Sequence, residues 1–428
     1  MNVLIIGSGG REHALAWKAA ASRCVDGVYV APGNAGTAME PGVSNVAIDA
    51  LDFDRLLDFA RDKGIDLTIV GPEAPLVAGI VDCFRKEGLA IFGPDKRSAQ
   101  LEGSKAFTKD FLARHNIPTA AYANFTGIEP ARAWIREQGA PVVVKADGLA
   151  AGKGVILART EEEAMAAVED MLAGDAFGDA GHQVVIEEFL RGEEVSFIVM
   201  VDGENILPLA SSQDHKARDD GDTGPNTGGM GACSPAPVVT PALHERIMKE
   251  VIIPTVKGLA AEGIRYSGFL YAGLMIAADG TPDVLEYNCR FGDPEAQPIL
   301  MRLKSDFVAL CRAGAEGRLN EVSAEWDSRA ALGVVMTAGG YPGTYRKGDV
   351  IRGLANAGGA RVFHAATLLE GDQVLTHGGR VLCVTALGDT IARAQENAYK
   401  GVGAIDWQDC YYRNDIGHHA IAREQQDV

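Results

Sequence analysis

Glu286, Asn288 and Arg290 stand at alternate positions directly after the run Pro282-Asp283-Val284-Leu285. In an extended strand alternate residues share one face, so these three side chains point the same way. A carboxylate and an amide oxygen form a hard-oxygen pair suited to a magnesium ion that carries phosphates. An arginine beside them can grip a carboxylate with two hydrogen bonds. The competing reading is an edge strand with its polar face in water. The loop Phe291-Gly292-Asp293-Pro294-Glu295 follows at once, and its glycine and proline imply a fixed shape.

Lys145 ends another apolar strand, Val142–Lys145, and opens a glycine-rich stretch from Gly148 through Gly152-Lys153-Gly154. This is no Walker loop: the fifth residue before Gly152 is Asp147, and Lys153 is followed by glycine rather than serine or threonine. Backbone N–H groups of such a flap can fold over a triphosphate; an ordinary hairpin with a surface lysine is the alternative. The segment Glu187-Glu188-Phe189-Leu190-Arg191-Gly192-Glu193-Glu194 reads as a strand ending in acids. It suits either an adenine and ribose or a solvated linker.

The N-terminal turn Gly7-Ser8-Gly9-Gly10-Arg11-Glu12-His13 joins a strand to a helix. Open N–H groups and a helix dipole favour a phosphate there. A dinucleotide site fails twice. The third glycine of G-x-G-x-x-G falls on Glu12, and the second strand ends in Pro32-Gly33-Asn34 with no acid for a ribose hydroxyl. A monophosphate site and a plain structural turn remain.

The elements that carry these groups follow from periodicity. Val3–Ile6, Val28–Val30, Leu67–Val70 and Ala90–Phe92 read as strands, separated by helices over Glu12–Ala21, Phe53–Lys63 and Val77–Lys86. That alternation predicts a doubly wound parallel sheet. Helices are predicted over Ser104–His115 and Glu161–Ala173, and strands over Val184–Glu187 and Glu194–Val201. Residues 211–235 are polar and glycine-rich, which predicts a long functional or disordered loop. From about 328 the pattern shifts to strands (Ala331–Met336, Arg380–Leu387) and a late helix, Thr390–Tyr399, which implies a C-terminal α+β unit. The pair His418-His419 reads as a surface feature.

Composition excludes several classes. The chain of 428 residues carries a formal charge of −18 and no Lys/Arg run, which argues against nucleic acid. Anionic substrates then need local positive sites. Seven cysteines without a C-x-x-C suggest neither a disulfide framework nor a zinc site. No basic leader precedes the first strand, and no apolar stretch approaches the roughly 20 residues of a membrane helix. There is no G-x-S-x-G elbow and no H-E-x-x-H.

These motifs in this order resemble the ATP-grasp ligases. VLIIGSGGREHALAW near the start, GPEAPLVAGI at 71–80, SSQDHK at 211–216, GPNTGGMGACSP at 224–235 and RFGDPEAQ at 290–297 are similar to one family among them, the phosphoribosylamine–glycine ligases. The resemblance spans essentially the whole chain. It implies an α/β and α+β multidomain protein. An N-terminal phosphoribosylamine-binding doubly wound domain covers 1–103. An ATP-grasp domain covers 104–327, with 120–190 a mobile subdomain, and a C-terminal α+β domain covers 328–428. It implies ATP as co-substrate with Mg2+ or Mn2+, and ligation of glycine to 5-phosphoribosylamine through glycyl phosphate in purine synthesis. Lys105 and Lys145, with Gly152 and Lys153, resemble the ATP-phosphate contacts. Glu187 and the Leu190 backbone resemble the adenine contacts, and Glu194 the ribose contact. Glu286 and Asn288 resemble the metal ligands, and Arg290 would hold the glycine carboxylate. Asp214 and Lys216 would face the substrates, and Gly9, Gly10, Glu73 and Asp293 the phosphoribosylamine. Many ATP-grasp enzymes carry another acid on the preceding strand, which here reads Tyr271-Ala272-Gly273-Leu274-Met275. The expected setting is a cytoplasmic monomer with no nucleic acid, membrane or obligate protein partner, and no fused purine-pathway enzyme.

Overall fold

A computed structural model describes residues 1–149, 154–173 and 182–426. The N-terminal strands form a five-stranded parallel sheet, in the order Val43–Asn45, Gly27–Pro32, Asn2–Gly7, Leu67–Val70, Ile91–Phe92. Along the central strand Val3 and Ile5 enter one core while Leu4 and Ile6 enter another. Both faces are covered, which is why the strand is apolar throughout. The strand order reverses at Asn2–Gly7. In such sheets ligands bind beyond the carboxyl ends at that point, and there lie the turn after Gly7 and the residues Gly71-Pro72-Glu73. The helix expected over 77–86 is two helices, Glu73–Ala78 and Ile80–Lys86. Gly79 between them has φ +99°, a left-handed conformation that glycine adopts without penalty.

Two four-stranded sheets follow. The smaller joins Tyr122–Phe125, Val184–Glu188, Val142–Ala146 and Val155–Ala158, all antiparallel. Helices Ile128–Gln138 and Glu161–Ala173 pack on it through their own core of Ala131, Ile135, Ala164, Val168 and Met171. The larger joins Ile206–Pro208, Glu193–Asp202, Ser267–Ile276 and Pro282–Asn288, also antiparallel.

Residues 211–235, expected as a loop, contain the strands Gln213–Asp214, Ala217–Asp219, Thr223–Asn226 and Gly231–Ser234. Gly231–Ser234 pairs with Ala330–Thr337, so the C-terminal sheet runs Gln213–Asp214, Gly231–Ser234, Ala330–Thr337, Arg380–Gly388, Arg361–His364. Short polar strands of this kind owe their conformation to a partner distant in sequence. The C-terminal unit thus borrows an edge from the central region, and Asp214 and Lys216 are held by that edge. Helix Ile391–Val402 covers the sheet. All seven cysteines are unpaired. No helix among the described residues is long and apolar enough to cross a membrane.

Candidate active site

The three regions meet around a cleft of about 510 Å³. Among the described residues, seven cationic and seven acidic side chains line it. The cleft is therefore balanced inside a strongly acidic chain, which supplies the local positive charge that anionic substrates need.

One end is built by lysines. Ser104 caps helix Lys105–Arg114, its hydroxyl accepting from Phe107 N–H, and this fixes Lys105 in the first turn. Lys105 Nζ donates to Gly148 O at 2.8 Å, and burial lowers its pKa. Lys145, at the end of its strand, donates to Leu285 O at 3.0 Å and lies 2.8 Å from Glu187 Oε1. Glu187 Oε2 lies 2.8 Å from Lys109 Nζ. Burial brings Lys109 down to about 8 against the pull of Glu187. The Glu187 carboxylate, expected on adenine, is thus enclosed by two lysines and only 2% exposed. Leu190 and Glu194 lie outside the cleft lining. Glu194 instead holds Lys216 Nζ at 2.6 Å. Gly152 and Lys153 lie outside the described residues.

The placement of Glu286 and Asn288 on one strand is as the sequence pattern requires. Glu286 and Asn288 lie on Pro282–Asn288, opposite Gly273 and Tyr271. A side chain at Gly273 would meet Glu286 Cγ at 3.3 Å, so the acid that many ATP-grasp enzymes carry on this strand has little room here. Burial opposes the charge on Glu286, but Lys216, Lys145 and Lys105 outweigh it and hold the carboxyl below its usual range. Burial likewise opposes the charge on Lys216, and Glu194, Tyr271, Glu286 and Asp214 hold its ammonium well above the ordinary value. Asn288 Oδ1 accepts from Arg290 NH2 at 2.9 Å. An amide oxygen has two lone pairs, so a hard divalent cation fits this pair.

The other end corrects two expectations. Arg290 is not an open fork. Its Nε donates to Glu73 at 3.2 Å, its NH2 group serves Asn288 and Glu102 (2.7 Å), and NH1 reaches Phe291 O at 3.4 Å. Four of its five N–H groups are engaged, because helices Glu73–Ala78 and Gln100–Gly103 bring two acids against it. Burial pushes Glu102 up to about 7. Burial also acts on Glu73, but Arg290 and Arg11 prevail and hold it at about 2. Arg11 donates to the same Phe291 O at 3.1 Å, and its NH2 has no hydrogen-bond partner among the described residues. The two guanidinium groups present their remaining donors together.

The N-terminal turn is likewise occupied. Gly9 N–H donates to Glu12 Oε2 at 2.5 Å. A side chain at Gly7 (φ +123°) or Gly71 would strike Glu12 within 2.6 Å. The glycines therefore make room for the Glu12 carboxylate, which takes the Gly9 N–H. Asp293 Oδ2 accepts from Arg11 N–H at 3.4 Å and already neutralises the helix start. Burial would raise Asp293, but Arg380 and Arg11 keep it below its ordinary value. Gly10 packs against Gln297 and Asp293.

Arg11, Glu102, Lys109 and Arg380 escaped the reading of the sequence. Arg11 lies within the N-terminal glycine-rich turn, whose backbone drew the attention, and the other three stand in no motif the sequence analysis singled out. Arg380 donates to Gly228 O, to Asp293 O at 2.6 Å and to Gly229 O at 3.3 Å. It thus ties its strand to two loops, the farther partner 152 residues away. At Gly229, φ is +109°, and a side chain there would meet Pro294 Cδ at 2.4 Å and Asp214 Oδ1 at 2.7 Å.

The chain matches phosphoribosylglycinamide synthetase in its N domain over residues 1–102, its ATP-grasp (A) domain over 103–296 and its C domain over 331–419. The chain belongs to the phosphoribosylglycinamide synthetase family. It is 68% identical to a phosphoribosylamine–glycine ligase of Escherichia coli strain K12 over 428 residues, 99% of this chain and 100% of that one. A Vibrio cholerae ligase of the same name is 67% identical over 427 residues, with the same coverage. A crystal structure of a phosphoribosylamine–glycine ligase from Thermotoga maritima matches with TM-score 0.84 at 34% identity, covering 97% of this chain and 100% of that one. The biotin carboxylase domain of a Hydrogenobacter thermophilus carboxylase matches at TM-score 0.73 and 18% identity, over 96% and 91% of the two chains. That likeness is one of fold.

Proposed function

We infer that this member of the family catalyses ATP-dependent ligation of glycine to 5-phosphoribosylamine, giving glycinamide ribonucleotide, ADP and phosphate. The single observation that carries the reading is one cleft flanked by Lys105, Lys145 and Glu286 at one end and by the N-terminal turn, Glu73 and Asp293 at the other. A nucleotide and a sugar phosphate can meet there.

The lysine end takes ATP. Lys105 and Lys145 pair with its phosphates, and the Leu190 backbone and Glu194, although outside the cleft lining, take adenine and ribose. Glu187 acts by holding Lys145 in place. Glu286 and Asn288 Oδ1 hold a divalent cation, magnesium or manganese, which neutralises phosphate charge when bound. Arg290 and Arg11 hold the glycine carboxylate through their unengaged N–H groups. A carboxylate oxygen of glycine attacks the γ-phosphorus as the bond to the β–γ bridging oxygen breaks, releasing ADP and forming glycyl phosphate. The amine of phosphoribosylamine then attacks the acyl carbon and expels inorganic phosphate. The attacking nitrogen loses a proton, and Asp214 is the group to take it. Burial, then Glu295, raise its carboxyl above the usual carboxylate range, which makes it a stronger base than an exposed carboxylate. Catalysis is otherwise positioning and charge neutralisation, as phosphoryl transfer requires.

Glycine carrying oxygen-18 in its carboxylate tests the order of steps. The reading expects one labelled oxygen in each phosphate released; unlabelled phosphate rules out the acyl phosphate. The sugar end has its own test. In Gly9→Val the side chain meets Glu12 Oε2 at 2.8 Å and Asp293 Oδ2 at 3.3 Å. The KM for phosphoribosylamine should rise about tenfold, roughly 1.4 kcal/mol, with the KM for ATP nearly unmoved. A raised ATP KM with an unchanged phosphoribosylamine KM would reverse the assignment of the two ends.

A further inference from the structure

The pair His418-His419 opens the C-terminal helix His418–Gln426, far in sequence from the hairpin Ala217–Asp219/Thr223–Asn226. Asp222, in the turn of that hairpin, brings the two together. His418 Nε2 lies 3.1 Å and His419 Nε2 2.8 Å from the same oxygen, Asp222 Oδ2. Among the described residues this is the one trio of His, Cys or carboxylate side chains whose ligand atoms all lie within 4.8 Å of one another.

The tautomer of His418 makes the arrangement informative. Its Nδ1 lies 3.0 Å from Asp415 O, a carbonyl that only accepts. Nδ1 therefore carries the proton, and in neutral His418 the Nε2 lone pair faces a carboxylate oxygen. A divalent cation shared by the three atoms would accept the lone pairs of both nitrogens and of the carboxylate oxygen at once.

The frame exists without the imidazoles. Arg413 NH1 donates to Asp222 Oδ1 at 2.9 Å, and Arg413 also holds Asp415 through two bonds of 2.7 and 2.9 Å. Gly221 N–H donates to Asp415 at 2.7 Å, and Asn414 makes two bonds to Asp220. Asp222 is held at φ +54°, a region that few non-glycine residues occupy. The carboxylate is thus aimed by its surroundings, and the Asp415 carbonyl orients one ring from behind, as outer partners do at metal centres.

We propose that Asp222, His418 and His419 form a binding site for a divalent transition metal of the zinc class, separate from the cation pair in the cleft. Two imidazoles and one carboxylate suit zinc, with a fourth position left to water. Bonds of about 2.1 Å place tetrahedral ligand atoms about 3.4 Å apart, so the two nitrogens need move only slightly from the carboxylate oxygen. His419 is half-exposed, which leaves an entry path. The metal ties the C-terminal helix to a hairpin that runs into Thr227 and Gly228 of the cleft wall.

The full chain, stripped with a chelator and exchanged into chelator-free buffer, is titrated with Zn2+ alone by calorimetry and with Co2+ by visible absorbance. One Zn2+ per chain is expected outside the cleft. Single His419→Gln should weaken it at least tenfold, the least that even an outer-shell change costs at such sites. The pair His418→Gln and His419→Gln should abolish it, and Glu286→Gln should leave it in place. Asp222→Asn, which keeps an oxygen toward Arg413, gives a second route to the same loss, with melting curves confirming that each variant is folded. Absence of binding in the unaltered chain, equal binding in the double variant, or loss confined to Glu286→Gln would each overturn the proposal.

Discussion

Glu286→Gln is expected to lower kcat/KM at least about 100-fold, roughly 2.7 kcal/mol of transition-state stabilisation. The substitution keeps shape and removes one charge. That charge sits among Lys216, Lys145 and Lys105, which hold it ionised. With glutamine, three ammonium groups lose their shared counter-charge and the cation loses its one charged protein ligand. The loss should therefore appear as a higher Mg2+ midpoint as well as a lower rate. A metal titration with unchanged midpoint and unchanged maximal rate would remove Glu286 from the metal site. Asn288→Asp offers the opposite change: it adds a charge beside Arg290, so metal affinity should hold or rise.

The second large effect is on stability in mild acid. His215 and His364 are buried, and burial brings both down to about 3. His13 is lowered in the same way, by burial before any partner. In the unfolded chain these groups titrate near 6.5. Below that pH the unfolded chain binds protons that the folded protein refuses, so stability falls as pH falls. At pH 5 each such histidine costs about 2 kcal/mol, or about 4 kcal/mol for His215 and His364 together. The Glu73 carboxyl, held at about 2, adds its own loss only below about 4.5, whereas Glu102, pushed up to about 7, takes up its proton first in the folded chain and works against the histidines between about 7 and 4.5. Two of them join regions of the chain. His364 N–H donates to His13 Nδ1 at 2.8 Å, between the C-terminal sheet and the first helix. Gly417 N–H donates to His215 Nε2 at 3.0 Å. Melting curves between pH 7.5 and 5 should show the Tm of His364→Gln rising relative to that of the unaltered chain as pH falls. A difference in Tm that stays the same at every pH would show that burial does not hold His364 neutral.

How much of this was legible in the sequence depends on the range of each interaction. The alternation of Glu286 and Asn288 is local, and the strand Pro282–Asn288 places both as the pattern requires, whereas the strand ends before Arg290. The parallel sheet was legible because strand and helix periods alternate cleanly over the first hundred residues. The strands within 211–235 were not, since Gly231–Ser234 acquires its conformation from Ala330–Thr337 about a hundred residues away. The same range hid the occupants of the site. Arg290 reads as an open fork until Glu73, 217 residues away, closes on it. Gly9 reads as an open phosphate turn, although the acid that fills it, Glu12, is only three residues on. There the spacing was visible but the side-chain direction was not. Arg11 sat inside a visible motif whose glycines drew the reading, and the lone residues Glu102 and Arg380 carry no local signature. Only the meeting of three chain regions gives them a place.

The central claim is tested most directly by measuring ADP release from ATP while glycine and phosphoribosylamine are supplied singly and together. The account predicts sustained ADP formation only when both are present, with one glycinamide ribonucleotide formed per ADP. Sustained ADP release with either substrate alone, or with both but without the ribonucleotide product, would contradict it.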